Sequence, residues 1–155
     1  MHGIFRVTVD RCIACGKCEL ACAFTHGQGG APGAPRIHIL RRGPERGTPL
    51  TCMQCHDAAW VAVCPTHALV RDQGSGAIVV FQERCVGCRV CVAACPFGNM
   101  EWDASHRQPS KCDLCGGEPR CVPFCPTRAL EFLPPELADR GAEAARSIDL
   151  PSALI

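Results

Sequence analysis

Tyrosine is missing altogether, and aromatic residues make up only 5% of the chain. With so few large rings, and with 15 glycines and 13 prolines among 155 residues, the sequence lacks the material for the ordinary hydrophobic core of a domain this long. Charge of one sign is also lacking: 16 basic residues face 15 acidic ones, a net charge of +1. Such a balance excludes recognition of nucleic acid or an anionic membrane by global charge. The longest apolar run, AAWVAVC, falls far short of the ~20 residues that a membrane helix needs, so the chain is expected to have no membrane span of its own. The opening MHGIFRVTVDRC shows no basic region, apolar stretch or twin arginine of an export signal, and this leads us to expect a cytoplasmic protein. No phosphate loop, no GxGxxG and no nucleophile with a base partner is present, and GQGGAPG has the wrong spacing for a phosphate cradle. Substrate chemistry is therefore expected on another subunit.

Cysteine is what the chain has in excess. Fifteen thiols cannot all pair internally, which argues against a disulfide scaffold and for a reducing compartment or a metal. Their spacing repeats. Cys12, Cys15, Cys18 and Cys22 are separated by 3, 3 and 4 positions, and so are Cys85, Cys88, Cys91 and Cys95. A second pair of segments interleaves with the first: WVAVCPTHAL (60–69) aligns with CVPFCPTRAL (121–130), and Cys52-x-x-Cys55 with Cys112-x-x-Cys115. In that alignment Cys64 matches Cys125, and Trp60 falls on Cys121. Four groups of four would make sixteen cysteines, and Trp60 stands where the missing one belongs.

Between the groups, IFRVTVD, RIHIL and AIVVFQE alternate and are β-branched, so strands are expected there. A short helical turn is expected after the third cysteine of each complete run. GQGGAPGAP and RRGPERGTP are rich in Gly and Pro and read as turns or covering flaps. The cysteine-bearing domain spans 1–133, and 134–155 reads as a C-terminal helix and tail for subunit docking.

Cys-x-x-Cys-x-x-Cys sets three thiolates on one tight loop, where each can reach a different iron of a cubane. The fourth cysteine of such a run, followed by Pro, ligates the other cluster in two-cluster ferredoxins. Zinc is the rival for paired Cys-x-x-Cys, but a tetrahedral zinc site has no use for a third cysteine at the same spacing or for a fourth beside proline. Two complete runs and two variants ending in CPT point to iron–sulfur clusters, with bound metal replacing the missing core.

The segments CIACGKCELACAFTH, CMQCHDAAWVAVCPT, CVGCRVCVAACPFGNM and KCDLCGGEPRCVPFCPT together resemble the four-cluster, ferredoxin-like electron-transfer subunits that partner molybdenum or tungsten oxidoreductases, some hydrogenases and carbon monoxide dehydrogenase. That resemblance implies a small α+β fold of tandem ferredoxin-like halves with pseudo-two-fold symmetry. It also implies four sites. Site A would use Cys12, Cys15, Cys18 and Cys125; site B, Cys112, Cys115, Cys121 and Cys22; site C, Cys85, Cys88, Cys91 and Cys64. Site D would keep only Cys52, Cys55 and Cys95, and the spatial order would be A, B, D, C. Two departures stand out: Cys22 is followed by Ala rather than Pro, and Trp60 replaces a cysteine.

Tryptophan has no lone pair to offer iron. Site D is therefore expected to hold a 3Fe-4S cluster, or a 4Fe-4S cluster with His56, Asp57 or water on the fourth iron, or no cluster, beside three ordinary 4Fe-4S clusters. Lys17, Arg89 and Lys111 lie between or beside ligands, where a cation favours a reduced cluster; the remaining histidines read as surface or turn residues. The function implied is a relay of single electrons between a larger catalytic subunit and an acceptor. A tungsten aldehyde oxidoreductase passing electrons to a flavin subunit that reduces NAD is the leading partner. A hydrogenase, carbon monoxide dehydrogenase or a free polyferredoxin is the alternative.

Overall fold

The structure, a computed structural model, describes residues 3–134. The expected C-terminal helix and tail over 134–155 lie beyond residue 134, outside the described residues. Among the described residues the elements follow the order β1 (Ile4–Val7), α1 (Lys17–Thr25), β2 (Ile37–Arg41), β3 (Gly47–Thr51), α2 (Ala59–Ala62), β4 (Leu69–Arg71), β5 (Ile78–Val80), α3 (Val90–Ala94), β6 (Glu101–Asp103), β7 (Gln108–Ser110) and β8 (Leu130–Leu133). The strands form four antiparallel two-stranded ribbons, β1·β8, β2·β3, β4·β5 and β6·β7. This is a small α+β fold of short strands and shorter helices.

Each expected strand forms; RIHIL keeps its length, shifted by one residue, and the other two are shorter than their alternating patterns. IFRVTVD gives β1 and then a 3₁₀ turn, Val9–Arg11, that delivers the chain to Cys12. AIVVFQE gives β5 and then a 3₁₀ turn, Gln82–Arg84, that delivers it to Cys85. RRGPERGTP is not all flap: its GTP end belongs to β3, in register with β2 so that Ile39 faces Pro49 and Arg41 faces Gly47. Proline is tolerated there because a two-stranded ribbon leaves one edge of each strand unpaired. GQGGAPGAP does turn, through a bridge between Gln28 and Ala31. A Cβ at Gly27 would sit 2.0 Å from the Ala31 carbonyl oxygen, so only glycine fits.

The residue after the fourth cysteine sets helix length. In the second run Cys95 precedes Pro96, takes an extended conformation (ψ 109°) and ends α3 after five residues. In the first run Ala23 imposes no such limit. α1 continues to Thr25, nine residues in all, with the His26 N–H donating to the Cys22 carbonyl.

The sequence repeat recurs in the backbone. Left-handed φ angles occur at Ala14 and Gly87, Gly16 and Arg89, Gln54 and Leu114, and His67 and Arg128, each pair at matching positions of the aligned segments. The Thr8 N–H donates to the Ala129 carbonyl at 2.8 Å, and the Phe81 N–H donates to Ala68 at 2.7 Å. Through β1·β8 the first cysteine group meets the fourth, and through β4·β5 the second meets the third.

Two buried groups result. One gathers Cys18, Cys22, Ile37, Ile39, Cys121 and Leu130; the other gathers Cys52, Trp60, Leu69, Ile78, Cys91 and Met100. Aliphatic residues surround cysteines in both. Proline at position 23 would remove an interior N–H and force Cys22 out of the helical region. Ala23→Pro is expected to end α1 at or before Cys22, reduce helical ellipticity and cost ~3 kcal/mol in chemical denaturation; unchanged ellipticity would show that Ala23 does not set the length of α1.

Candidate iron–sulfur sites

Cys12, Cys15, Cys18 and Cys125 line one cavity, walled by Ile39, Pro49 and Leu130. Cys85, Cys88, Cys91 and Cys64 line a second, walled by Leu69, Trp102 and Pro109. Each cavity draws three cysteines from a complete run and one from a CPT segment. These are the groupings expected for sites A and C.

The site B cysteines also converge. Cys121 is surrounded by Cys112, Cys22, Cys115 and Cys18, and burial, reinforced by those neighbours, pushes its thiol far up. Burial likewise raises Cys22, with Cys112 and Cys115 adding to it. For site D, Cys52 lies beside Lys111, Cys112 and Cys55. Cys95 packs against the buried group that contains Cys52 and Trp60.

Sulfur-directed hydrogen bonds are built into the CPT segments. The Ala68 N–H donates to Cys64 Sγ at 3.3 Å and the Ala129 N–H donates to Cys125 Sγ at 3.2 Å, with the hydroxyls of Thr66 and Thr127 at 3.7 and 3.8 Å. The threonine of CPT thus stands two residues past a sulfur that it can reach. At Cys64 burial raises the thiol, but the N–H of Ala68 and the contacts of Thr66 outweigh it and the net direction is down. The Arg36 N–H donates to Cys22 Sγ at 3.2 Å.

The side chain of Asp113 braces site B. It accepts from the Arg36 guanidinium at 2.6 Å and from the Cys115 N–H at 2.9 Å. Burial raises its carboxyl, yet Arg36 and the Cys115 N–H hold it below the usual carboxylate range. His26, read in sequence only as a turn residue, packs into this corner. Its Nε2 lies 3.7 Å from Asp113 and 3.9 Å from Cys115 Sγ, and burial together with Arg36 pushes its pKa down.

Trp60 sits on α2 and is 2% exposed. His56 and Asp57 are placed differently: both side chains are 97% exposed and pair with each other at 3.0 Å. The polar side chain that faces Trp60 is Lys111, whose Nζ lies 5.3 Å from the ring centroid. Of the three cations noted beside ligands, Lys17 and Arg89 are exposed and only Lys111 is buried. Arg89 instead stacks on Trp102 at 4.4 Å. Sequence spacing could not reveal Lys111, because its burial depends on a contact between two groups far apart in the chain.

All fifteen cysteines are free. Burial pushes the Cys18 thiol up to about 11 and raises Cys52, Cys91 and Cys115 as well. A buried protonated thiol wastes its donor capacity, and soft thiolate sets of this kind select zinc, copper(I) or iron–sulfur clusters. The donors fit iron–sulfur clusters, with N–H groups donating to Cys22, Cys64 and Cys125 and the Lys111 cation beside Cys52. Such a chain is an iron–sulfur protein, and once loaded its clusters supply one-electron redox centres.

Residues 46–134 match the model of the 4Fe-4S dicluster domain, and residues 9–25 match a 4Fe-4S binding domain. The chain is 41% identical to the polyferredoxin-like subunit of an aliphatic sulfonate oxidoreductase from Pyrococcus furiosus, across 77% of this chain and 69% of that one. It is 37% identical to the electron transport protein HydN of Escherichia coli, across 84% and 87%. It is 36% identical to the thiosulfate reductase electron transfer subunit PhsB of Salmonella typhi, across 79% and 70%. The chain belongs to the 4Fe-4S dicluster family, and its work is electron transfer rather than substrate conversion.

Iron is expected to be structural as well as redox-active. Chelation under acid should abolish far-ultraviolet ellipticity and protease resistance together; a chain that keeps both without iron would show that the aliphatic contacts suffice.

Proposed function

We propose that the chain is one subunit of a larger oxidoreductase complex and relays single electrons along four cysteine sites in the order A, B, D, C. The observation that carries this reading is an unbroken line of neighbouring sulfurs. Cys18 neighbours Cys121, joining A to B. Cys112 neighbours Cys52, joining B to D. Cys52, Cys95, Cys91 and Cys64 share one buried group, joining D to C. Cys15 and Cys88, at matching positions of the two terminal sites, are the exposed cysteines, and electrons enter and leave beside them. The matching ribbons and left-handed turns support two ferredoxin-like halves related by a pseudo-two-fold axis.

The ligands in this reading are those of the resemblance: Cys12, Cys15, Cys18 and Cys125 at A; Cys112, Cys115, Cys121 and Cys22 at B; Cys85, Cys88, Cys91 and Cys64 at C; Cys52, Cys55 and Cys95 at D. Sites A, B and C hold 4Fe-4S clusters. Site D holds a 3Fe-4S cluster, because Trp60 fills the fourth position from the inside while His56 and Asp57 turn to solvent.

The partner is a larger catalytic subunit of the tungsten or molybdenum type, with a flavin or NAD-linked subunit as acceptor. Relatives named as subunits of an aliphatic sulfonate oxidoreductase and of a thiosulfate reductase support a larger partner subunit. No helix among the described residues is long and apolar enough to cross a membrane, and fifteen free thiols fit a reducing cytoplasm. The tagged full chain, purified without oxygen, should bring down a larger subunit containing tungsten or molybdenum. Recovery of the chain alone with its iron would favour a free polyferredoxin, and a nickel-bearing partner would favour a hydrogenase or carbon monoxide dehydrogenase. Deleting 134–155 should weaken that association without removing iron, and unchanged assembly would place docking elsewhere.

The oxidised protein should give a sharp paramagnetic signal near the free-electron value, which an oxidised 3Fe-4S centre shows and an oxidised 4Fe-4S centre of ferredoxin type does not. Trp60→Cys should abolish that signal by supplying a fourth thiolate. Silence in the oxidised wild type would mean four irons or an empty site D: a changed reduced spectrum in His56→Ala or Asp57→Ala would identify the outer ligand, and unchanged spectra would point to water or an empty site.

A further inference from the structure

Lys111 is the one charged side chain in the buried set among the described residues, at 4% exposure. Its Nζ donates to the Ile78 carbonyl, to the Cys112 carbonyl at 2.6 Å and to Gln54 Oε1 at 3.4 Å. Three acceptors match the three protons of an ammonium, one more than a neutral amine can donate. The nearest carboxylate in sequence, Asp113, is engaged by Arg36 and the Cys115 N–H. A buried cation without a carboxylate is costly unless an anion stands close by. Burial pushes the Lys111 pKa down, opposed by Cys52 first and then by Cys112 and Asp113, with the face of Trp60 beneath the ammonium.

The arrangement is one-sided. In the internal repeat Lys111 corresponds to Thr51, and Gln54, which lies between Cys52 and Cys55, corresponds to Leu114. Gln54 itself spans the two inner sites. Its amide donates to the Cys112 carbonyl at 2.7 Å, and its oxygen accepts from the Ile78 N–H at 3.1 Å. Nothing equivalent is built at Leu114.

We propose that Lys111 is a positioning residue of the electron relay: its ammonium, clamped by Gln54, Ile78 and Cys112 beside Cys52, raises the reduction potential of site D and makes that inner site the place where an electron rests. A fixed positive charge next to a cluster favours the state with one more electron. Trp60, which supplies no thiolate, stands at the same site and sets it apart from the other three. The inference rests on the assignment of Cys52, Cys55 and Cys95 to one site.

The test is a redox titration of the full chain, purified without oxygen, followed by electron paramagnetic resonance. The site D centre is identified as the one whose spectrum changes in Trp60→Cys. Lys111→Met should lower the electron affinity of that centre about tenfold, about 59 mV for one electron, and leave the outer sites A and C unmoved. Lys111→Arg should restore most of the shift. Gln54→Glu, which keeps the acceptor and adds a negative charge against the ammonium, should lower the same potential and serves as the readout if Lys111→Met fails to retain the centre. An unmoved potential in Lys111→Met with the centre present overturns the proposal. So does a fall in Lys111→Arg as large as in Lys111→Met, or, if that centre is lost, an unmoved Gln54→Glu. Fewer than four centres, none of them altered by Trp60→Cys, would overturn the site assignment itself and the proposal with it.

Discussion

Burying sulfur is the constraint on which the rest of this structure depends. A thiol inside a protein is a poor donor and a weak acceptor, and a thiolate there is a desolvated anion. Fifteen cysteines, five of them buried, are gathered by a chain whose described strands run three to five residues. The ribbons are too short to be stable alone, and two of them, β1·β8 and β4·β5, bring two cysteine groups together. Small loops with left-handed residues then aim the sulfurs inward. The fold is a set of brackets around four donor sets, and the aliphatic residues, such as Ile39 against site A and Leu69 against site C, line those sets rather than form a core of their own.

Asymmetry enters this repeated plan at a few positions, each with a local cause. Alanine instead of proline after the fourth cysteine lets α1 run longer than α3. Tryptophan instead of cysteine fills the interior at α2, and a lysine from the other half arrives over its ring. The segments around Gln54 and Cys112 are therefore tied together, through the hydrogen bonds of Gln54 and Lys111 to the Cys112 carbonyl.

Much of this was legible in the residues. The spacing of Cys12 to Cys22 and of Cys85 to Cys95, the CPT segments and the gap at Trp60 announced the chemistry, and three strands were visible as β-branched alternation. What stayed hidden depends on distant pairing. β8 and β1 make sense only together, since Arg6 and Glu131 pair across a ribbon whose strands lie at opposite ends of the described chain. β3 was masked by its own glycine and proline, which read as a turn although a two-stranded ribbon accepts them. Lys111 was visible beside the ligands together with Lys17 and Arg89, but not that Ile78 and Gln54 close over it alone, and His56, adjacent to Cys55 in sequence, turned out to face solvent. Neighbours in sequence located the thiols; the groups that tune them come from elsewhere in the chain.

The β1·β8 ribbon has a consequence for how the protein is made. Domains form as their segments leave the ribosome, N-terminal parts first. In the proposed assignment the first cysteines to emerge, Cys12 to Cys22, must wait for Cys112 to Cys125 and for β8 before their sets are complete, whereas Cys52 to Cys95 can close on one another sooner. The inner half of the sequence is thus free to mature early, and the oldest thiols stay open the longest. During that interval they depend on the surrounding cell, not on the fold, for protection from oxidation and stray metals.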